Sequence, residues 1–273
     1  MPHPLPELII MAHILVKFGG GLITDKSQLK VINQEAITEL SVLTQYLIEN
    51  GHRITIVHGA GSFGHLKAKK WQISDGYISD IGKEQYVAVA AIRQDMRELN
   101  SYITEELTKQ GVESISFPPS NWARGIGPNF KGSLADIANC MPNIVAITFG
   151  DVVDCEEPRK FGILSGDDLM VRLAKEIDGI THCIFLLGDT EGLLTAPPSD
   201  PNSKLVPTWS RNLAINAEHN TSEDVTGGIF LKLESAAEIT QVVPNVWFLD
   251  GRKPNRVKEL IETGHTKGTQ IVP

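Results

Sequence analysis

The sequence predicts an α/β fold: a three-layer αβα sandwich around an open, mainly parallel central sheet. Three observations carry that expectation. Short β-branched runs alternate with longer amphipathic stretches along the 273 residues. Clusters of glycine stand where the short runs end. No internal repeat or low-complexity linker interrupts the alternation. Strand, glycine turn and helix in succession make βαβ units, whose parallel strands need helices on both faces. Such sheets hold ligands at the carboxyl ends of their strands, where these glycines fall.

In chain order, Ile14–Phe18 is an apolar run that stops at Gly19-Gly20-Gly21. Ile32–Asn50 carries Ile32, Ala36, Ile37, Leu40, Leu43, Leu47 and Ile48 at helical spacing and ends at Gly51. Ile54–Val57 is the next strand and runs into His58-Gly59-Ala60-Gly61. Tyr77–Gln110 reads as one long helix or two. Ser114–Phe117, Ile144–Thr148, Ile184–Leu187 and Val246–Leu249 read as further strands, and Ser165–Lys175 and Leu231–Thr240 as helices after glycine-bearing turns. The charged, proline-containing part of 151–165 predicts a hairpin, and Pro197–Pro201 a short loop. A single domain over 1–273 is expected.

Composition bounds the chemistry. Hydrophobic residues make up 41% and charged residues 21%, ordinary values for a chain with a buried core. A formal net charge of −8 leaves no general basic field for nucleic acid, so any phosphate must be held by a few placed cations. Cys140, Cys155 and Cys183 are widely spaced and odd in number. They make neither a metal-binding pattern nor a disulfide framework and read as reduced thiols. No apolar run reaches the ~20 residues of a membrane span. Met1–Met11 contains three prolines and no basic stretch, a poor signal peptide, and Met11 offers an alternative start. The expected location is the cytoplasm.

Five segments carry chemistry. In Lys17-Phe18-Gly19-Gly20-Gly21, a lysine at a strand end stands beside glycines whose amides can form an anion-holding nest. The same pattern also suits a tight turn with a surface lysine. Thr24-Asp25-Lys26 follows it. In His58-Gly59-Ala60-Gly61-Ser62-Phe63-Gly64-His65, a glycine loop opens a helix, so a phosphate can rest on amides reinforced by the helix dipole. It is neither a Walker A loop nor a GxGxxG in register. His58 reads as a structural hydrogen bonder, and His65 as a cation for an acceptor phosphate. In Ser165-Gly166-Asp167-Asp168, ordinary capping accounts for one acid, and the other can orient nearby ammonium groups. Gly188-Asp189-Thr190-Glu191-Gly192-Leu193-Leu194-Thr195 follows a strand, and Asp224-Val225-Thr226-Gly227-Gly228 leads into the helix carrying Lys232. Thr226, the glycine amides and Lys232 suit the β- and γ-phosphates of a nucleotide.

In this order, from Lys17 to Lys232 and on to Gly268-Thr269, the segments resemble the amino acid kinase superfamily and, within it, the isopentenyl phosphate kinases. The narrower likeness rests on Gly61-Ser62-Phe63-Gly64-His65, Ile23-Thr24-Asp25-Lys26, Phe149-Gly150-Asp151-Val152-Val153 with Ser165-Gly166-Asp167-Asp168, and Asp224-Val225-Thr226-Gly227-Gly228. The resemblance implies ATP-dependent phosphorylation of isopentenyl phosphate in isoprenoid biosynthesis, with Mg²⁺ entering on ATP and no dedicated protein metal site. It implies an acceptor-binding lobe over about 12–180, a nucleotide-binding lobe over about 181–273, and a homodimer. Lys17, Lys26, His65, Asp167 and Lys232 would be catalytic. ATP would contact Lys17, Gly19, Gly20, Gly21, Asp189, Gly192, Thr226, Gly227, Gly228 and Lys232. The acceptor would contact Gly59, Ala60, Gly61, Ser62, Gly64, His65 and Gly166.

Two positions depart from the usual pattern: Gly21 replaces serine, and Ala60 replaces glycine. If position 60 needs a positive φ, alanine strains the loop; otherwise the change is neutral. The acceptor's tail needs an apolar wall, for which Tyr77, Val87, Ala88, Ala91, Ile92 and Met96 are candidates, although their spacing also suits ordinary core packing. The nearest alternative is a fosfomycin-type or other small phosphate kinase of the same fold. From another class, a non-catalytic nucleotide-binding protein would be expected to lack one of the five charged positions, and none is missing.

Overall fold

The computed structural model describes residues 11–25, 27–212 and 227–273. β1 (His13–Phe18) runs into the single-turn helix α1 (Gly20–Ile23) and then α2 (Gln34–Glu49). β2 (Arg53–His58) leads directly to α3 (Gly61–Lys70). Two 3₁₀ turns precede the long α4 (Gly82–Lys109), followed by β3 (Ser114–Ser116), α5 (Pro119–Trp122) and α6 (Ala135–Ala138). After β4 (Val145–Phe149), the strands β5 (Asp151–Asp154) and β6 (Phe161–Leu164) form the expected hairpin and feed α7 (Gly166–Glu176). β7 (Ile180–Leu187), β8 (Thr208–Trp209), α8 (Gly227–Ile239), β9 (Asn245–Asp250), α9 (Asn255–Thr263) and β10 (Thr269–Ile271) complete the described order.

Eight strands form one sheet in the order β3-β4-β2-β1-β7-β9-β10-β8. All neighbours are parallel except β9 and β10. The predicted open, mainly parallel sheet is therefore observed, with a reversed edge. Alternation along the strands divides the core into two faces. Ile14, Val16 and Phe18 of β1 pack with α2 and α4 residues such as Leu40 and Leu99. Leu15 points the other way, toward Leu169 of α7 and Leu233 of α8. The same period puts Lys17 on the α7–α8 face, where it is only 5% exposed.

Local chemistry sets the helix starts near this face. Asn33 caps α2 by accepting from Ala36 N. Ser165 caps α7 through a reciprocal box with Asp168, whose amide donates to Ser165 Oγ at 3.0 Å. Asp168 thus takes the capping role foreseen for one acid of the pair. The predicted 77–110 helix is one continuous helix from Gly82, preceded by the turn Ser79–Ile81. No helix among the described residues is long and apolar enough to cross a membrane.

Candidate active site

The carboxyl ends of β1, β2, β4 and β7 open into one cleft of about 670 Å³. Each strand end delivers a glycine turn, and these turns stack backbone on backbone. A Cβ on Gly20 would stand 2.3 Å from Gly61 N, so only glycine allows the first turn to lie against the start of α3. Ala60 has φ −78° and ψ −28°, ordinary right-handed geometry. The positive φ (+49°) falls on Gly61 instead, so alanine at 60 is unstrained.

Lys17 reaches from the floor of the cleft to Asp167, with Nζ 2.5 Å from Oδ1. Lys232, one helix away on α8, approaches the other carboxylate oxygen at 3.3 Å. Asp167 therefore spans two ammonium groups and has a side chain only 15% exposed. Burial pushes its pKa up, but the two lysines outweigh that and hold it below the usual carboxylate range. Burial works against the Lys17 ammonium and, with repulsion from Lys232, outweighs the Asp167 attraction, lowering its pKa to about 8. Two ammonium groups thus converge on one carboxylate at the floor of the cleft, with Asp168 also within electrostatic reach of Lys17, an arrangement that aims paired donors at an anion.

The other predicted residues fall around this centre. Gly19, Gly20, Gly21, Gly59, Ala60, Gly61, Ser62, Gly64, His65, Gly166, Asp189, Gly192 and Gly228 all line the cleft. His65 is in the second turn of α3, because the helix begins at Gly61. Gly227 begins α8. Lys26 and Thr226 lie outside the described residues. Not every foreseen amide is free to hold a phosphate. Gly19 N donates to Leu186 O, Gly59 N to Phe18 O, and Ser62 N to Thr24 Oγ1. His58 is buried and stacked on Phe149 at 4.7 Å between ring centroids, consistent with its structural reading. Burial lowers its pKa to about 4, so the ring is neutral at pH 7.

The apolar wall differs from the expectation. Of the six candidates, Ile92 and Met96 reach the cleft, one helical turn apart on α4. Val87 is 72% exposed, Ala88 is in the core, and Tyr77 packs under Lys160, with Nζ 3.9 Å from its ring centroid. For the five candidates on α4 its period explains the selection, because only one stripe of a helix faces a given neighbour, while Tyr77 precedes the helix. Leu66, Val152 and Ile163 supply the rest of the wall and were not foreseen. Gly150 and Asp151 also line the cleft. The family resemblance marks this segment through Phe149–Val153, without assigning these residues to the site. Asp151 is tied down by Ser120 N at 3.1 Å and Val152 N at 2.8 Å. In the Gly188–Gly192 turn, Glu191 receives Lys267 and Arg256, each at 2.7 Å, which hold its pKa down at about 2 and anchor the turn.

Residues 13–247 match the model of the amino acid kinase family. The chain is similar to isopentenyl phosphate kinase of Thermoplasma acidophilum, 26% identical over 90% of this chain and 95% of that one. It is similar to isopentenyl phosphate kinase of Methanocaldococcus jannaschii, 27% identical over 94% of this chain and 97% of that one. The crystal structure of the T. acidophilum isopentenyl phosphate kinase product complex superposes with a TM-score of 0.78 at 25% identity, covering 95% of this chain and 100% of that one. With a family match running from β1 into β9, the chain belongs to the amino acid kinase family.

Proposed function

We propose that this protein transfers the γ-phosphoryl group of ATP to the phosphate of isopentenyl phosphate, giving isopentenyl diphosphate. The observation that carries the reading is Asp167 between Lys17 and Lys232, in the same cleft as His65 and the start of α3. The names of the relatives support the same reading. The Gly188–Gly192 turn and the start of α8 would hold the nucleotide, with Lys17 and Lys232 on its phosphates and Gly19, Gly20 and Gly21 behind them. His65, Ala60 and Gly61 would hold the acceptor phosphate, and Ile92, Met96, Leu66, Val152 and Ile163 its tail. In this reading, Lys26 and Thr226 complete the phosphate contacts.

Phosphoryl transfer needs alignment and charge compensation more than covalent help. The acceptor oxygen is already a nucleophile at neutral pH, so no general base is assigned. Lys17 stands where charge develops on the transferring group, and Asp167 orients both ammonium groups for in-line attack. Both Asp167 oxygens are engaged by lysines, and among the described residues no cluster of His, Cys, Asp and Glu could hold a metal. In this reading Mg²⁺ would enter on ATP and be carried by phosphate oxygens and water. We assign the protein to the cytoplasm, as a homodimer whose acceptor and nucleotide lobes meet at about residue 180.

The test is a coupled ADP-release assay with Mg-ATP against isopentenyl phosphate, dimethylallyl phosphate, fosfomycin and N-acetylglutamate. Turnover on the first two alone is expected. Turnover on fosfomycin alone would move the chain to the antibiotic kinases. Tight ATP binding with no turnover on any acceptor would remove the acceptor assignment.

A further inference from the structure

Thr24 does not line the cleft, yet it joins the cleft's two sides. It is 3% exposed and ends α1. Its Oγ1 donates to Gly20 O at 2.7 Å and accepts from Ser62 N at 3.0 Å. Gly20 belongs to the turn after β1, and Ser62 to the first turn of α3. Ala60, the N-cap of α3, makes no side-chain capping bond, so Thr24 supplies the missing acceptor from a different segment. The fit is close: a Cβ on Gly61 would stand 2.1 Å from Thr24 Oγ1 and 2.6 Å from Gly20 O.

The chain around Thr24 is fastened to the same helix. Thr24 bridges Ile32, Asp25 N donates to Val31 O at 2.9 Å, and Ser62 Oγ approaches Val31 O at 3.4 Å. Farther along, Lys30 Nζ lies 3.0 Å from Asp95 Oδ1, while Asp95 also binds Lys67 of α3. Lys30 adopts a positive φ of 57°, a conformation a side chain takes only when its surroundings hold it there.

We propose that Thr24 is a positioning residue whose hydroxyl sets the separation between the donor-side turn at Gly20 and the acceptor-side helix start at Ser62. This rests on the kinase reading, in which those two segments hold the two reacting phosphates. A misplacement of about 1 Å between reacting groups lowers turnover by roughly 100-fold without removing either ligand. Thr24→Val keeps the shape and loses both hydrogen bonds, whereas Thr24→Ser keeps them.

The experiment measures kcat with isopentenyl phosphate, calorimetric Kd for each substrate alone, and amide exchange, for wild type and both variants. Thr24→Val is expected to lower kcat by at least about tenfold while each Kd stays within about threefold, and Thr24→Ser to restore kcat. An unchanged kcat in Thr24→Val, or a loss of both affinities in step with thermal stability, overturns the proposal. If wild type fails to phosphorylate isopentenyl phosphate, the functional reading falls and exchange decides this one. Faster exchange in residues 20–25 and 61–66 together, in Thr24→Val but not Thr24→Ser, supports the coupling. Acceleration in neither segment, or in only one, overturns it.

Discussion

The carboxylate of Asp167 stands 2.5 Å from Lys17 Nζ, and both side chains are almost sealed from water. The two residues are 150 positions apart in sequence. Strand alternation turns Lys17 toward α7, and the Ser165 cap starts α7 so that Asp167 falls in its first turn. Breaking a buried pair of this kind leaves an uncompensated charge, at a cost of about 3–5 kcal/mol. Separately, because Asp167 orients both ammonium groups in the proposed mechanism, Asp167→Asn should lower kcat by roughly 100-fold or more, in line with the loss of a preorganised charged group. Steady-state ADP release with saturating substrates measures it, and a fall of less than threefold would detach Asp167 from the mechanism.

A pH dependence follows from Lys17. Its ammonium is the required form, and burial lowers its pKa to about 8 in the free protein. kcat/KM should decline as pH rises through about 8, because that parameter reports the free enzyme. Bound phosphates favour the cation, so the limb in kcat should lie at higher pH. Asp167→Asn removes an attraction that raises the Lys17 pKa, so its kcat/KM limb should move to lower pH. A flat profile between pH 7 and 9 would contradict this assignment.

His65→Gln should keep ATP affinity within about twofold and lose most turnover with a phosphate acceptor, since one charged contact at a transition state is worth roughly 100-fold. Calorimetry with an ATP analogue and the coupled assay separate the two effects. Undiminished turnover would remove His65 from acceptor binding.

The glycine turns give opposite expectations at neighbouring positions. Gly20→Ala places a methyl 2.3 Å from Gly61 N, where backbone must move. It should destabilise by about 1–3 kcal/mol and depress turnover. Ala60→Gly should leave turnover near wild type, because Ala60 is already right-handed. It should destabilise by about 0.4–1 kcal/mol through the looser unfolded chain. Urea unfolding of both variants tests the contrast.

Acid stability should depend on buried imidazoles. Burial lowers the pKa of His13 and of His58 to about 4, with Arg53 adding to the effect on His13. The unfolded state, with imidazoles near the ordinary value of about 6.5, binds more protons between those limits. Stability should therefore be intact above about pH 6.5 and fall as pH drops toward 4, by on the order of 1–3 kcal/mol per group. Thermal unfolding at pH 7 and pH 5 measures the slope, and His13→Gln should flatten it.

The parallel sheet was legible because its strands are buried on both faces and read as continuous apolar runs bounded by glycine. The reversed edge was not. β8 has two residues and β10 reads Thr-Gln-Ile, so neither offers an apolar run, and their pairing depends on what lies beside them. α9 escaped for a similar reason, with Val257 and Leu260 its only buried apolar side chains. The apolar wall shows the limit again: of six candidates, Tyr77 precedes α4, and the packing of α4 admitted two of the other five.

By itself, the sequence determined the order of elements, the glycine turns at the strand ends and the charged side chains available to meet there, because these depend on local propensity and period. Tertiary structure alone decided that Asp167 joins Lys17 to Lys232 and that Thr24, rather than a phosphate, takes the Ser62 amide. Contacts between segments tens of residues apart are set by how the layers stack, and no local period carries that information.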